Sequence, residues 1–145
     1  MNNRIIGFTL LAGLAAGFLA AAAPAFAADS PAAIETAVRQ VFDQAIANVP
    51  GKSLIAAEVH YKPGEKSPPH RHEKSAFIMA YVVSGSIRSQ VEGQPVRIYH
   101  AGESWYEDPG AHHVVSENAS QTEPATLLAV FVVDTNHGDL TTMDK

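Results

Sequence analysis

The sequence predicts an all-β domain, a sandwich or small barrel of about seven antiparallel strands, with one N-terminal helix packed against its outside. Three observations predict it. The hydrophobic spacing changes once along the chain, from a helical period before Pro50 to short alternating segments after Ser53. Those segments are rich in valine, isoleucine, tyrosine and phenylalanine. Turn chemistry then recurs at Pro63-Gly64, Ser84-Gly85, Glu92-Gly93, Ala101-Gly102 and Pro109-Gly110.

Residues 1–27 read as a secretory signal peptide. Met1 to Arg4 carries one positive charge, Ile5 to Ala23 is apolar with small residues throughout, and Ala25-x-Ala27 offers a cleavage pattern. The alternative, a membrane anchor, lacks a flanking basic stop after the run. Only one arginine precedes the run, so no twin-arginine signal is present. Export would deliver an unfolded chain beginning at Ala28 to the periplasm or the exterior, with no membrane attachment after cleavage. That leaves 118 of the 145 residues, 28–145, as a single domain with a net charge of −6 once Arg4 is lost from the −5 of the whole chain.

The mature segment contains no cysteine, so a packed apolar core must stabilise it without disulfides. The acidic balance and the lack of any Lys/Arg cluster argue against nucleic acid or an anionic membrane as partner. A small molecule fits better. In "SPAAIETAVRQVFDQAIANVP" the residues Ile34, Val38, Val41, Phe42, Ala45, Ile46 and Val49 recur at three- and four-residue spacing. With Ser30 as N-cap and Pro31 in the first turn, this predicts a helix over about 31–48, stopped by Pro50-Gly51. The candidate strands that follow are 53–61, 76–83, 86–92, 95–100, 103–107, 112–117 and 125–133. Trp105, Tyr106, Phe77, Met79, Tyr81 and Phe131 are assigned to the core, since a barrel must be filled, with some of them free to line a pocket.

In "SPPHRHEKSAF", His70 and His72 are two residues apart. On an extended segment they share one face, and Arg71 takes the other. Pro68 and Pro69 hold the approach extended. Two imidazoles so placed can take adjacent positions on a metal, and a third ligand must come from elsewhere. "PGAHHVVSEN" offers His112 and His113, of which at most one can be a ligand because strand neighbours face opposite sides. His60, His100 and His137 read as exposed or singly hydrogen-bonded, His60 alone inviting a role beside the site.

These residues resemble the motifs of the cupins. The first cupin motif, a glycine, five residues, His-x-His, a glutamate and a later glycine, is met by Gly64, His70, His72 and Gly85. The second, a glycine, five residues, Pro-x-Gly, two residues, a histidine and an asparagine, is met by Gly102, Gly110 and His113. The resemblance covers about residues 53 to 133. It implies a small jelly-roll barrel with a metal inside its open end, His113 as third ligand and His112 as its outward neighbour. It departs at the glutamate, where counting back from Gly85 finds Ile78 beside Phe77. It departs again where Asp108 and Glu117 hold the proline and asparagine positions, with Pro109 and Asn118 each following by one. Either the site is a three-histidine site with water in the open positions, or a carboxylate arrives from elsewhere. Glu107 is the candidate, as fourth ligand or general base, because it closes the strand before the turn that delivers His113. Glu73 and Glu103 are weaker, lying in turn-like contexts.

Imidazole ligands suit iron, manganese, copper, zinc or nickel, whereas calcium and magnesium prefer oxygen cages. Two function classes follow. The first is a metal-dependent enzyme with dioxygenase- or isomerase-type chemistry on a small organic substrate, with Glu107 catalytic. The second is a non-catalytic module that binds a small molecule or a metal. Cupins are often dimers, and an outward apolar strand face is the feature that would accompany a homodimer here.

Overall fold

A computed structural model describes residues 37–145. Among the described residues there is no helix, and eleven strands form two antiparallel sheets. In chain order they are β1 (Ala37–Ala45), β2 (Lys52–Tyr61), β3 (Lys66–Ser67), β4 (His70–His72), β5 (Phe77–Ser84) and β6 (Ser86–Val91), then β7 (Arg97–His100), β8 (Ser104–Glu107), β9 (His112–Asn118), β10 (Ala125–Asp134) and β11 (Thr141–Met143). One sheet runs β1-β2-β10-β5-β8 and the other β11-β4-β9-β6-β7, with β3 paired to β9. Each of the seven expected strands is present.

Alternation builds the core between the sheets. Ile55 and Ala57 of β2, Ile78, Ala80 and Val82 of β5, and Leu127, Phe131 and Val133 of β10 point inward and are buried, and Ile87 of β6 meets them from the opposite sheet. The β5–β6 turn closes at Gly85, whose φ of 73° suits only glycine; an added Cβ would lie 2.5 Å from the Pro124 carbonyl oxygen. This is the glycine that ends the first motif.

Two expectations are corrected. The helix expected over about 31–48 is strand from Ala37 to Ala45, and its first residues, like the signal peptide of 1–27 and the start at Ala28, lie outside the described residues. β1 pairs along β2 from Ala37 opposite His60 to Ala45 opposite Ser53, with a bulge at Val41. Pro50-Gly51, expected to stop a helix, belongs to a hairpin turn in which Gly51 has a φ of 82°. All nine residues of β1 are exposed, so no buried face imposes a period of two, and a helical spacing survives by chance on an edge strand. The second correction concerns the core. Phe131 is buried and Trp105 half-buried, but Phe77, Met79, Tyr81 and Tyr106 are exposed on the outer face, where Phe77 and Tyr106 stack at 5.8 Å. β5 is apolar on both faces, and its own pattern cannot say which one faces inward.

Candidate metal centre

The pairing of β4 with β9 brings the histidines together. His70 stands opposite His113 and Arg71 opposite His112. With side chains alternating, His70, His72 and His113 point between the sheets while Arg71 and His112 point out. One ring nitrogen from each of the three inward histidines lies within 4.8 Å of the others, a grouping able to hold a metal ion. His113 is 3% exposed and the His72 side chain 7%.

His70 Nδ1 donates to the Pro68 carbonyl oxygen at 2.8 Å. A carbonyl only accepts, so the proton sits on Nδ1 and the Nε2 lone pair is left for a metal. The Pro68-Pro69 pair thus supplies an orienting acceptor as well as a stiff approach. Burial holds His70 below the ordinary histidine range despite that bond, and it pushes His113 down to about 4 against the opposing pull of the Glu107 carboxylate. Both are therefore neutral near pH 7, as ligands must be.

Glu107 arrives from the neighbouring sheet. It ends β8 and is paired directly opposite Ile78 of β5. The carboxylate absent from Ile78's position is thus present one strand away at the same level. It is 2% exposed. Its Oε1 accepts from Trp105 Nε1 at 3.0 Å and lies 3.3 Å from His113 Nδ1; its Oε2 lies 3.1 Å from His72 Nε2. That last approach is close but poorly aligned, and Glu107 Oε2 and His72 Nδ1 remain buried without an aligned hydrogen-bond partner. Burial pushes the Glu107 carboxyl up, but His72, His113 and the indole N–H together outweigh it and lower it overall. A cluster of three imidazoles, an ionised carboxylate and two orphaned polar atoms is the kind of donor set a divalent transition metal takes.

The other candidates fall elsewhere. His112 is on the outer face, with Nε2 2.8 Å from Asp144 Oδ2 and Nδ1 3.3 Å from Glu92 Oε2 and 3.1 Å from Arg71 Nη2. Glu73 caps its own turn through Ser75, and Glu103 accepts from the His100 N–H at 2.6 Å. His60 lies on the outer face beside Glu58 and Thr126, His100 is exposed, and the half-buried His137 donates from Nδ1 to the Gly138 carbonyl at 2.6 Å. At the end of the second motif Asn118 is the buried residue, donating to the Lys62 and Glu123 carbonyls, while Glu117 points outward to Arg88 at 2.7 Å.

Sequence reasoning missed several groups around the histidines. Ser89 Oγ lies 2.9 Å from His113 Nε2. Tyr61, Ser67 and Ser116 share the histidines' cavity of about 230 Å³, with walls that include Ala57, Leu127 and Phe131. A serine at an inward position of β6, two residues from Ile87, was the one signal legible in advance.

Comparison with known proteins agrees with this geometry. The family model described as a cupin domain matches residues 57–131, more than half of the chain. No curated protein sequence matches. An uncharacterized conserved protein with a double-stranded β-helix domain from Klebsiella pneumoniae is 21% identical, with a TM-score of 0.60 over 80% of this chain and 90% of its own. The DMSP lyase DddQ from Ruegeria pomeroyi is 21% identical, with a TM-score of 0.53 over 62% of this chain; the match spans 42% of the lyase, well under half. An oxalate oxidase is 25% identical, with a TM-score of 0.53 over 62% of this chain and 45% of its own. Inward histidines on β4 and β9, two facing antiparallel sheets and the family match over their length lead to one conclusion: this chain belongs to the cupin family.

Proposed function

We propose that this cupin is a metal-dependent enzyme that acts on a small organic substrate by dioxygenase- or isomerase-type chemistry. His70, His72 and His113 hold the ion, and Glu107 is its fourth ligand or the general base beside it. The observation that carries the reading is the buried Glu107 carboxylate, within 3.1 Å of His72 and 3.3 Å of His113, in a cavity otherwise largely apolar. A non-catalytic module would use that carboxylate only as a metal ligand, whereas proton abstraction needs one beside the substrate. Iron, manganese, copper, zinc and nickel all suit this donor set.

Bound there, the ion would act as a Lewis acid towards a substrate oxygen. The chain's own residues do the rest. Pro68 orients His70, Trp105 holds one oxygen of Glu107, and the apolar walls keep water from competing for the carboxylate. Glu107 Oε2, free of an aligned partner, is the atom available to take a proton from bound substrate. The names of two structural neighbours, a DMSP lyase and an oxalate oxidase, mark them as enzymes with small-molecule substrates, which is in keeping with the proposal.

Glu107→Gln tests it, keeping shape and removing charge. In a screen of small aromatic and dicarbonyl compounds together with short oxo- and hydroxy-acids the parent should show turnover. The variant should keep its circular dichroism and at least part of its metal, and lose about a hundredfold in rate. Equal rates would remove Glu107 from the chemistry, and a parent inactive on every compound would favour the binding module. The proposal extends to location: export with cleavage after Ala27, to the periplasm or the exterior, supported by the apolar run and the Ala25-x-Ala27 pattern. The intact mass of protein from native cells should correspond to a chain starting at Ala28; a mass retaining Met1 to Ala27 would overturn this.

A further inference from the structure

The cavity that contains the histidines has a second polar locus in its wall. Tyr61, at the end of β2, is buried, and its phenol oxygen lies 3.0 Å from Ser67 Oγ and 2.7 Å from Ser116 Oγ. Among the described residues these three oxygens hydrogen-bond only to one another. Three hydroxyls carry three protons, and the two contacts between them consume two. One O–H is left to donate to whatever occupies the cavity. Burial, reinforced by the nearby Glu65 and Glu107 carboxylates, outweighs the serine hydrogen bonds and pushes the Tyr61 hydroxyl up. It is a donor at neutral pH, with no tendency to act as a base.

Charge limits what the donor can meet. No lysine or arginine lines the cavity among the described residues. A divalent ion with neutral imidazoles and one carboxylate has a single positive charge in excess, enough to balance one anionic group. A second anion at the hydroxyl locus would be buried with no cation and with carboxylates nearby, which is costly. Size limits it further. The cavity of about 230 Å³ lies below the roughly 300–1,000 Å³ of sites for drug-sized ligands.

We infer that the ligand of this site is a short compound with two oxygen functions: one anionic group for the histidine end, and a neutral carbonyl or hydroxyl oxygen that accepts a hydrogen bond from the Tyr61, Ser67 and Ser116 hydroxyls. Short oxo- and hydroxy-acids are the class described; dicarboxylates, phosphates and plain fatty acids are excluded. The inference rests on the proposed metal site and adds the identity of its substrate class.

The test uses the mature protein loaded with zinc, which is redox-inert and takes imidazole ligands. Zinc content is measured first, and binding is then followed by calorimetry with 4-oxopentanoate and 5-oxohexanoate. The comparison compounds are pentanoate and hexanoate, which lack the acceptor, and pentanedioate and hexanedioate, which carry a second anion. At one of the two lengths the oxo-acid should bind about tenfold tighter than both partners of equal length, the scale of one well-made hydrogen bond. Tyr61→Phe should erase that advantage while zinc content and alkanoate affinity stay unchanged. Ser116→Ala, which perturbs the core less, should shrink it and serves if Tyr61→Phe does not fold by circular dichroism. Failure to bind zinc or iron(II) would overturn the metal-site reading and this inference with it. Full zinc loading with no oxo-acid advantage, with equally tight dicarboxylates, or with an advantage that survives the variants that fold, would overturn the inference alone.

Discussion

The two faces of the β4–β9 pair carry the same residue type to opposite ends. His113 faces inward, buried among two other imidazoles and one carboxylate, with polar atoms around it left unpaired. His112, its neighbour in sequence, faces out and is already satisfied by Asp144, Glu92 and Arg71. The difference teaches that the pleat, rather than local composition, decides what a histidine is for. On the outer face His112 has its partners; on the inner face Glu107 Oε2 and His72 Nδ1 are left without an aligned one.

The largest expected effect breaks or keeps this contrast directly. Replacing His70, His72 or His113 by alanine should each lower metal affinity by more than the roughly 10- to 100-fold that outer partners of a ligand are worth, as measured by competition with a chelator. His112→Ala should leave affinity unchanged. Equal losses at His112 and His113 would contradict the register that opposes His70 to His113.

A middle-sized effect concerns pH in the metal-free protein. Burial depresses His113 to about 4 in the fold, against about 6.5 for a free imidazole. Between these values the unfolded chain takes up a proton that the folded chain does not. Stability should therefore be complete above about pH 6.5 and decline toward about pH 4, by a loss on the order of 3 kcal/mol. Urea unfolding at several pH values reads the slope. His113→Asn should flatten it and His112→Asn should not; a slope shared by both variants would mean the titrating group lies elsewhere.

The smallest effect belongs to the outer face. Asp144→Ala removes the 2.8 Å contact to His112, but the Asp144 side chain is 39% exposed, so solvent screening limits the cost to about 1 kcal/mol or less. Thermal unfolding should show that modest loss with metal affinity untouched. A large drop in affinity would reveal that β11, which pairs with β4 from Thr141 opposite His72 to Met143 opposite His70, transmits strain to the inner face.

Much of the site was legible because it depends on short-range rules. His70 and His72 share a face at a spacing of two, and a single-residue offset separates His113 from His112. The same rules failed where they had no buried face or no regular register to act on. Ser116 is three residues from His113, a spacing that puts the two on opposite faces of a regular strand, yet both are buried. β9 pairs Val115 with Gln90 and His113 with Val91, leaving Val114 as an extra residue that resets the alternation. No local pattern announces that bulge, so the Tyr61, Ser67 and Ser116 cluster was invisible in one dimension.

The sequence by itself determined the strand segments after Ser53, the turns between them, the shared face of His70 and His72, and the family motifs around Gly64, Gly85, Gly102 and Gly110. Each of these follows from steric preferences and side-chain periodicity over a few residues. Only the tertiary structure decided that 37–45 is a strand, that the outer face of β5 is the one left exposed, and that Glu107 stands opposite Ile78 to bring a carboxylate to the histidines. Those outcomes are set by pairing between segments far apart in the chain. An edge strand takes its conformation from the partner it bonds to, and a side chain's surroundings depend on a register that no single segment encodes.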